Sequence, residues 1–103
     1  MNLLGHEYKV ELTDDTNKIG TSLNGLPNVG LFNSGTQTIY INKNVPKSNQ
    51  EATLLHEIIE GINYHFEMNL KHSSIMQLES ALYQCFQANG VDLSPLFKSK
   101  GKK

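Results

Sequence analysis

Apolar and polar residues alternate near the start of the chain in the pattern of a strand with one buried face. Tyr8, Val10 and Leu12 are separated by charged residues, and a repeat of two residues is typical of a half-buried strand. A polar run over residues 13–17 follows directly. The sequence therefore predicts a strand over residues 7–12 that ends at this run.

A β-hairpin is predicted further along the chain. Residues 20–35 are rich in Gly, Asn and Ser with scattered apolar positions, which is typical of a loop held by apolar contacts or of a short strand. β-branched and aromatic residues are then concentrated in residues 36–42, and strands favour these residue types. With Asn33-Ser34-Gly35 as the turn, residues near 29–32 and 37–42 should pair.

The second half of the chain predicts two helices, of which the first should run from about Gln50 to about Met68. Ser48 or Asn49 is the expected N-cap, and the early Glu51 favours the positive end of the helix dipole. One broad face of this helix is apolar. That face consists of Leu54, Leu55, Ile58, Ile59, Ile62 and Phe66.

The second helix should begin near Ser73 or Ser74 and continue to about Ala88, because Asn89-Gly90 is a typical C-cap signal. Its predicted buried face consists of Ile75, Leu78, Leu82 and Phe86. Together, the predicted strands and helices indicate an α+β fold.

Composition limits the kind of protein to expect. A chain of 103 residues fits one domain, here expected over residues 1–97, and the lysine-rich residues 98–103 are expected to be a disordered tail. The single cysteine, Cys85, is compatible with a reducing cytosol. Neither a signal peptide nor a membrane-spanning segment is evident. We therefore expect a cytoplasmic protein with no membrane partner.

Charge argues against a nucleic-acid partner. Four of the nine lysines lie in the last six residues, and the chain contains no arginine. The remainder is acidic, so it repels polyphosphate and lacks the usual bidentate reader of guanine and phosphate. Nucleic acid is expected to bind weakly through the lysine tail, if at all.

The first predicted helix carries His56-Glu57-Ile58-Ile59-Glu60, which matches the zinc-hydrolase signature H-E-x-x-H except at its last position. His56 and Glu60 are one helical turn apart, so both side chains can bind one metal ion. Glu57 points to a different side of the helix and is the candidate general base. The alternative is that these residues form only the solvated face of an amphipathic helix.

Glu79 and His72 are two further candidate ligands. Glu79 lies on the predicted apolar face of the second helix, where a carboxylate needs a partner or a cation. His72 precedes that helix and can fold back over the first. The alternatives are a salt bridge or a hydrogen bond from Glu79 to Tyr64 or Tyr83, and an exposed loop histidine or helix cap for His72. His6 and His65 have no partner that the sequence identifies.

Two stretches resemble a known group of proteins. TIYINKNVPKSNQEATLLHEIIEGINY and NLKHSSIMQLESALYQCFQANG are similar to the strand, connector, active-site helix and second helix of small zincin-like proteins common in phages and prophages. That group is distantly similar to the ImmA/IrrE and SprT-type metallopeptidases. The resemblance covers residues 38–90 and implies a small antiparallel sheet, of two to three strands, packed on the active-site helix and followed by a backing helix.

The resemblance also implies the roles of the candidate residues. His56 would bind Zn²⁺ or another divalent cation, Glu57 would be the general base, and Glu60 would occupy the second-ligand position. The third ligand would be His72 or Glu79. A carboxylate in place of imidazole makes such a site harder and more tolerant of manganese or iron.

Three functions follow as hypotheses. The first is a metal-dependent peptidase of the phage or prophage type that acts on an extended peptide or protein. The second is a catalytically inactive zincin-fold module that binds a host or phage protein through its sheet edge. The third is an α+β domain in which the motif match is accidental.

Overall fold

The computed structural model describes residues 1–98, and in this part of the chain it contains five strands, three α-helices and a 3-10 helix. The strands are β1 (Asn2–Leu3), β2 (His6–Glu7), β3 (Lys9–Thr13), β4 (Gly30–Asn33) and β5 (Thr38–Asn42). The helices are α1 (Thr16–Ile19), α2 (Lys47–Phe66), α3 (His72–Ala88) and the 3-10 helix Ser94–Phe97. The predicted α+β class is confirmed. Of the expected tail, all but Lys98 lies outside the described residues.

The main sheet has three strands in the order β3-β5-β4, so β4 is an edge strand. β4 and β5 form the predicted antiparallel hairpin, in which Leu31 is opposite Tyr40. β3 runs parallel to β5 instead, with Val10 opposite Ile39. The expectation of a wholly antiparallel sheet was therefore wrong, because the chain crosses over between β3 and β5 by way of α1 and β4. β1 and β2 form a separate antiparallel pair.

β5 is central in the core as well as in the sheet. Ile39 and Ile41 have no exposed surface, and they pack with Leu54 of α2 and Tyr8. Tyr8 is buried as the alternating pattern predicts, whereas Leu12 in β3 is 47% exposed. The middle of β5 thus packs against α2. This contact holds in place the helix that carries His56, Glu57 and Glu60.

α2 begins at Lys47, directly after Pro46, and has no side-chain cap. The predicted caps Ser48 and Asn49 are both inside the helix, so this prediction was wrong. Pro46 has a φ of −57° and its carbonyl accepts a hydrogen bond of 3.0 Å from the Gln50 N–H, so the proline itself starts the helix.

Two glycines allow β4 and α2 to approach closely. A Cβ on Gly61 of α2 would lie 2.6 Å from the Phe32 ring, and a Cβ on Gly30 of β4 would lie 2.5 Å from Thr53 and 3.1 Å from the Glu57 carboxylate. A glycine inside a helix is usually unfavourable, but here it leaves room for an aromatic ring. The edge strand therefore lies directly against the motif face of α2.

α3 packs along α2 with only part of its predicted apolar face. Ile75 is 2% exposed, but Leu78 is 45% and Leu82 is 39% exposed. Phe66, predicted to be buried on α2, is the last residue of that helix and is 59% exposed. The Asn89-Gly90 signal is confirmed, since Asn89 is the C-cap and Gly90 has a φ of +67°. Within residues 1–98, no helix has the length and apolarity needed to cross a membrane.

Candidate metal centre

His56 and Glu60 face each other on α2, as their spacing predicts. His56 Nε2 lies 3.3 Å from Glu60 Oε2, and the His56 side chain is only 15% exposed. Both residues project from a long regular helix anchored by buried Leu55 and Ile59. The pair is therefore held in a fixed orientation by the packing of the helix.

Glu79 of α3 contacts the other nitrogen of the same imidazole. His56 Nδ1 lies 3.0 Å from Glu79 Oε1, and the Glu79 side chain is 17% exposed. A histidine whose Nδ1–H donates to a carboxylate keeps the lone pair on Nε2 for a metal. Glu79 therefore orients the ring, and the carboxylate that the sequence places among apolar residues has a histidine as its partner. It does not bond to Tyr83, which donates to Glu51 over 3.0 Å.

His72 of α3 lies close to both His56 and Glu60. It is the first residue of α3, where the sequence placed it in the preceding connection. Its Nδ1 lies 3.9 Å from Glu60 Oε2, and its ring meets the His56 ring edge-on at a centroid distance of 5.3 Å. The side chain is 71% exposed, so it has room to move toward its neighbours.

The ligand atoms of His56, Glu60 and His72 all lie within 4.8 Å of one another. Ligand atoms around a tetrahedral zinc ion are roughly 3.3 Å apart, given bond lengths of about 2 Å. His72, which is 71% exposed, is the member of the group with room to close that difference. The structure thus contains a possible metal-binding triad, and Glu79, the other candidate third ligand, lies outside it.

Glu57 is buried beside the triad and faces the edge strand. The residue is 8% exposed. Burial raises the pKa of its carboxyl from 4.5 to about 7, with smaller raising effects from Glu60 and Glu79, while His56 and a backbone hydrogen bond from Phe32 lower it. Near neutral pH this carboxyl therefore exchanges a proton readily, as a general base must.

The raised pKa predicts a pH dependence of stability for the metal-free protein. Because the folded state binds the Glu57 proton more tightly than the unfolded state, the contribution of Glu57 to stability is fully present below pH 4.5 and is lost as pH rises through about 7. The loss should amount to roughly 3 kcal/mol. Urea unfolding in EDTA across this pH range should show it in the wild type. In Glu57→Gln the free energy of unfolding should depend less on pH than in the exposed control Glu67→Gln. The same pH dependence in both variants would contradict the prediction.

Glu57 lies between two open clefts along β4. One cleft, of about 530 Å³, is lined by Phe32 and Tyr64 together with Glu57 and Glu60. The other, of about 480 Å³, is lined by Val29, His72, Met76 and Glu79 together with Glu57. Each is large enough for one or two amino-acid side chains. Because Gly30, His56 and Glu57 line both clefts, the two together form a trough past the candidate base.

The free edge of β4 faces this trough. The Asn42 N–H donates to the Val29 carbonyl over 2.8 Å, and hydrogen-bonded pairs alternate along an antiparallel ladder. Leu31 and Asn33 therefore direct their backbone groups at β5, whereas Gly30 and Phe32 direct theirs outward. The outward N–H of Phe32 donates a hydrogen bond to the Glu57 carboxylate.

The remaining histidines do not join the site. His6 is exposed in β2, and His65 is exposed and packs edge-on against Phe66. Sequence reasoning missed the contributions of Phe32 and Tyr64, which belong to β4 and to the end of α2. The available signal was Gly61, a glycine at the centre of a strongly patterned helix, which indicates close approach of another element.

No protein-family model matches the chain, and neither the curated proteins nor the solved structures give a significant match.

Proposed function

We propose that the protein is a small metal-dependent peptidase of the zincin-like phage and prophage type. Zinc is held by His56, Glu60 and His72, and Glu57 is the general base. The observation that carries the proposal is the grouping of three ligand atoms within 4.8 Å next to a buried carboxylate on the same helix.

The chemistry of the ligands supports zinc. Two imidazoles and one carboxylate form a ligand set that holds catalytic zinc in peptidases. An ion there would act as a Lewis acid toward water and toward the carbonyl of the scissile bond. Glu79, hydrogen-bonded to His56 Nδ1, holds the imidazole in the orientation that presents Nε2 to the triad.

Glu57 moves the proton in the proposed reaction. Its carboxylate takes a proton from the attacking water and delivers it to the amine that leaves. The position of Glu57 in the wall of both clefts gives it access to a peptide there.

The substrate is proposed to be an extended peptide rather than a small molecule. An edge strand can add a further strand through main-chain hydrogen bonds. The outward groups of Gly30 and the outward carbonyl of Phe32 are placed for this, while the Phe32 N–H donates to Glu57. A strand paired there would pass directly over Glu57. The same edge supports a second candidate function, a peptide-binding module without hydrolysis, because these backbone groups are present with or without an ion.

Chelation tests the proposal directly. Zinc-loaded protein should cleave an unfolded substrate such as fluorescently labelled casein, exhaustive treatment with EDTA should stop cleavage, and added zinc should restore it. Magnesium should not restore activity, because it prefers an octahedral oxygen site. Cleavage that survives chelation would contradict the proposal, and peptide binding without any cleavage would favour the binding module.

A further inference from the structure

We infer that Phe32 and Tyr64 form an apolar subsite that selects extended peptides bearing a bulky aromatic or aliphatic side chain next to the bond to be cut. The inference rests on the proposed function for the cleavage step and extends it to the class of substrate. It starts from an aromatic row that runs from the core to the trough.

The row consists of three rings. Tyr8 is buried in the core, and its ring stacks on Phe32 at a centroid distance of 5.4 Å and an angle of 20°. Phe32 in turn lies 6.4 Å from the Tyr64 ring, at 55°. The absence of a Cβ at Gly61 gives the Phe32 ring its place against α2. Phe32 is thus fixed from three sides, and a fixed ring binds a ligand with little loss of conformational entropy.

Tyr64 is the exposed end of the row. It is 67% exposed, yet it lines the same cleft as Glu57 and Glu60. It follows Glu60 by one helical turn, so its ring stands beside the triad rather than on a remote surface. An exposed aromatic ring beside a candidate catalytic group has apolar surface to bury against a bound side chain.

The charge of the trough further limits the class of peptide that binds there. Three carboxylates line it, those of Glu57, Glu60 and Glu79, and no lysine is among the described residues that line either cleft. The chain has no arginine. Without a bound ion these carboxylates make the trough acidic, whereas a bound divalent ion offsets most of that charge. In the metal-free protein, peptides with acidic residues near the bulky side chain are therefore disfavoured, and basic ones are favoured.

A tryptophan-centred peptide is a clean probe, because the protein contains no tryptophan. The test uses acetylated and amidated heptapeptides of Gly, Ser and Thr with Trp or Ala at the centre, and versions with Glu or Lys on both sides of Trp. Binding is followed by Trp emission, with the Ala peptide as a competitor. The full-length protein carries Glu57→Gln to prevent cleavage, and it is measured both with zinc and in EDTA.

The Trp peptide should bind about tenfold more tightly than the Ala peptide, as expected for a well-formed aromatic contact. Adding Tyr64→Ala should remove that preference without changing zinc content or the affinity for the Ala peptide, whereas Tyr64→Phe should keep it. Phe66→Ala is the matched control, since this exposed ring on the same helix lines neither cleft. In EDTA, the Lys-flanked peptide should bind more tightly than the Glu-flanked one, because no zinc ion then offsets the carboxylates of Glu60 and Glu79.

Equal affinities for the Trp and Ala peptides would overturn the inference, as would no binding of the Trp peptide in either form of the protein. An equal loss for both peptides in Tyr64→Ala would also overturn it, because that result indicates a structural role. Failure of the proposed function would be recognised by a different result, namely a wild-type protein that holds no zinc or cleaves no substrate. Because binding is also measured in EDTA, the subsite is tested in that case as well.

Discussion

Glu57→Gln is expected to keep zinc and to lower the rate of peptide cleavage by about 10²- to 10⁴-fold, the usual contribution of a general base. Gln has nearly the shape of a protonated Glu, and the buried carboxyl has a pKa of about 7. The exchange therefore removes the proton acceptor while leaving the packing against β4 in place. Cleavage should be measured on the zinc-loaded protein, with zinc content determined on the same sample.

The matched control for this variant is Glu67→Gln, an exposed carboxylate at the end of the same helix. It should cleave at the wild-type rate. Undiminished cleavage in Glu57→Gln would remove Glu57 from the mechanism. Loss of zinc in that variant would show that Glu57 supports the ion rather than the proton transfer.

His72→Ala and Glu79→Gln are expected to separate a ligand from the residue that orients a ligand. His72 belongs to the triad, whereas Glu79 contacts only the far nitrogen of His56. Removing such an orienting partner lowers metal affinity about 10- to 100-fold. Loss of a ligand should exceed that range, so His72→Ala should be the weaker binder of the two.

Competition with a fluorescent zinc chelator gives both affinities. His65→Ala serves as the control, because this exposed histidine lies outside the triad, and it should bind zinc like the wild type. The reverse order, with the larger loss in Glu79→Gln, would make Glu79 the third ligand. That result would require α3 to turn relative to α2.

Local elements are the part of this fold that the sequence predicts well. The β4-β5 hairpin and α3 lie close to their predicted positions, because turn residues and helical spacing act over a few neighbours. The short elements β1, β2 and α1 were missed, since two to four residues carry little periodic signal. The parallel pairing of β3 with β5 was also missed, because alternation shows that a strand exists but not which strand is its partner.

In the candidate site, too, the sequence predicts contacts within one helix but not contacts between elements. His56 and Glu60 meet because helical spacing alone brings them together. The sequence could not decide between His72 and Glu79, since that depends on how α3 lies across α2. The structure places His72 beside Glu60 and Glu79 beside the opposite nitrogen of His56, and so assigns them different positions. Burial of Glu57 likewise depends on β4, which reaches it only because Gly30 has no side chain.

The central claim is that α2 and α3 hold a metal ion between them, and elemental analysis tests it most directly. The tag-free protein is purified without chelators and compared with His56→Ala and Glu60→Ala, with folding of each checked by circular dichroism. We predict about one zinc per chain in the wild type and almost none in either folded variant, as for a site with three protein ligands. A wild type that holds no zinc after incubation with zinc and dialysis would contradict the claim, as would full zinc occupancy in both variants.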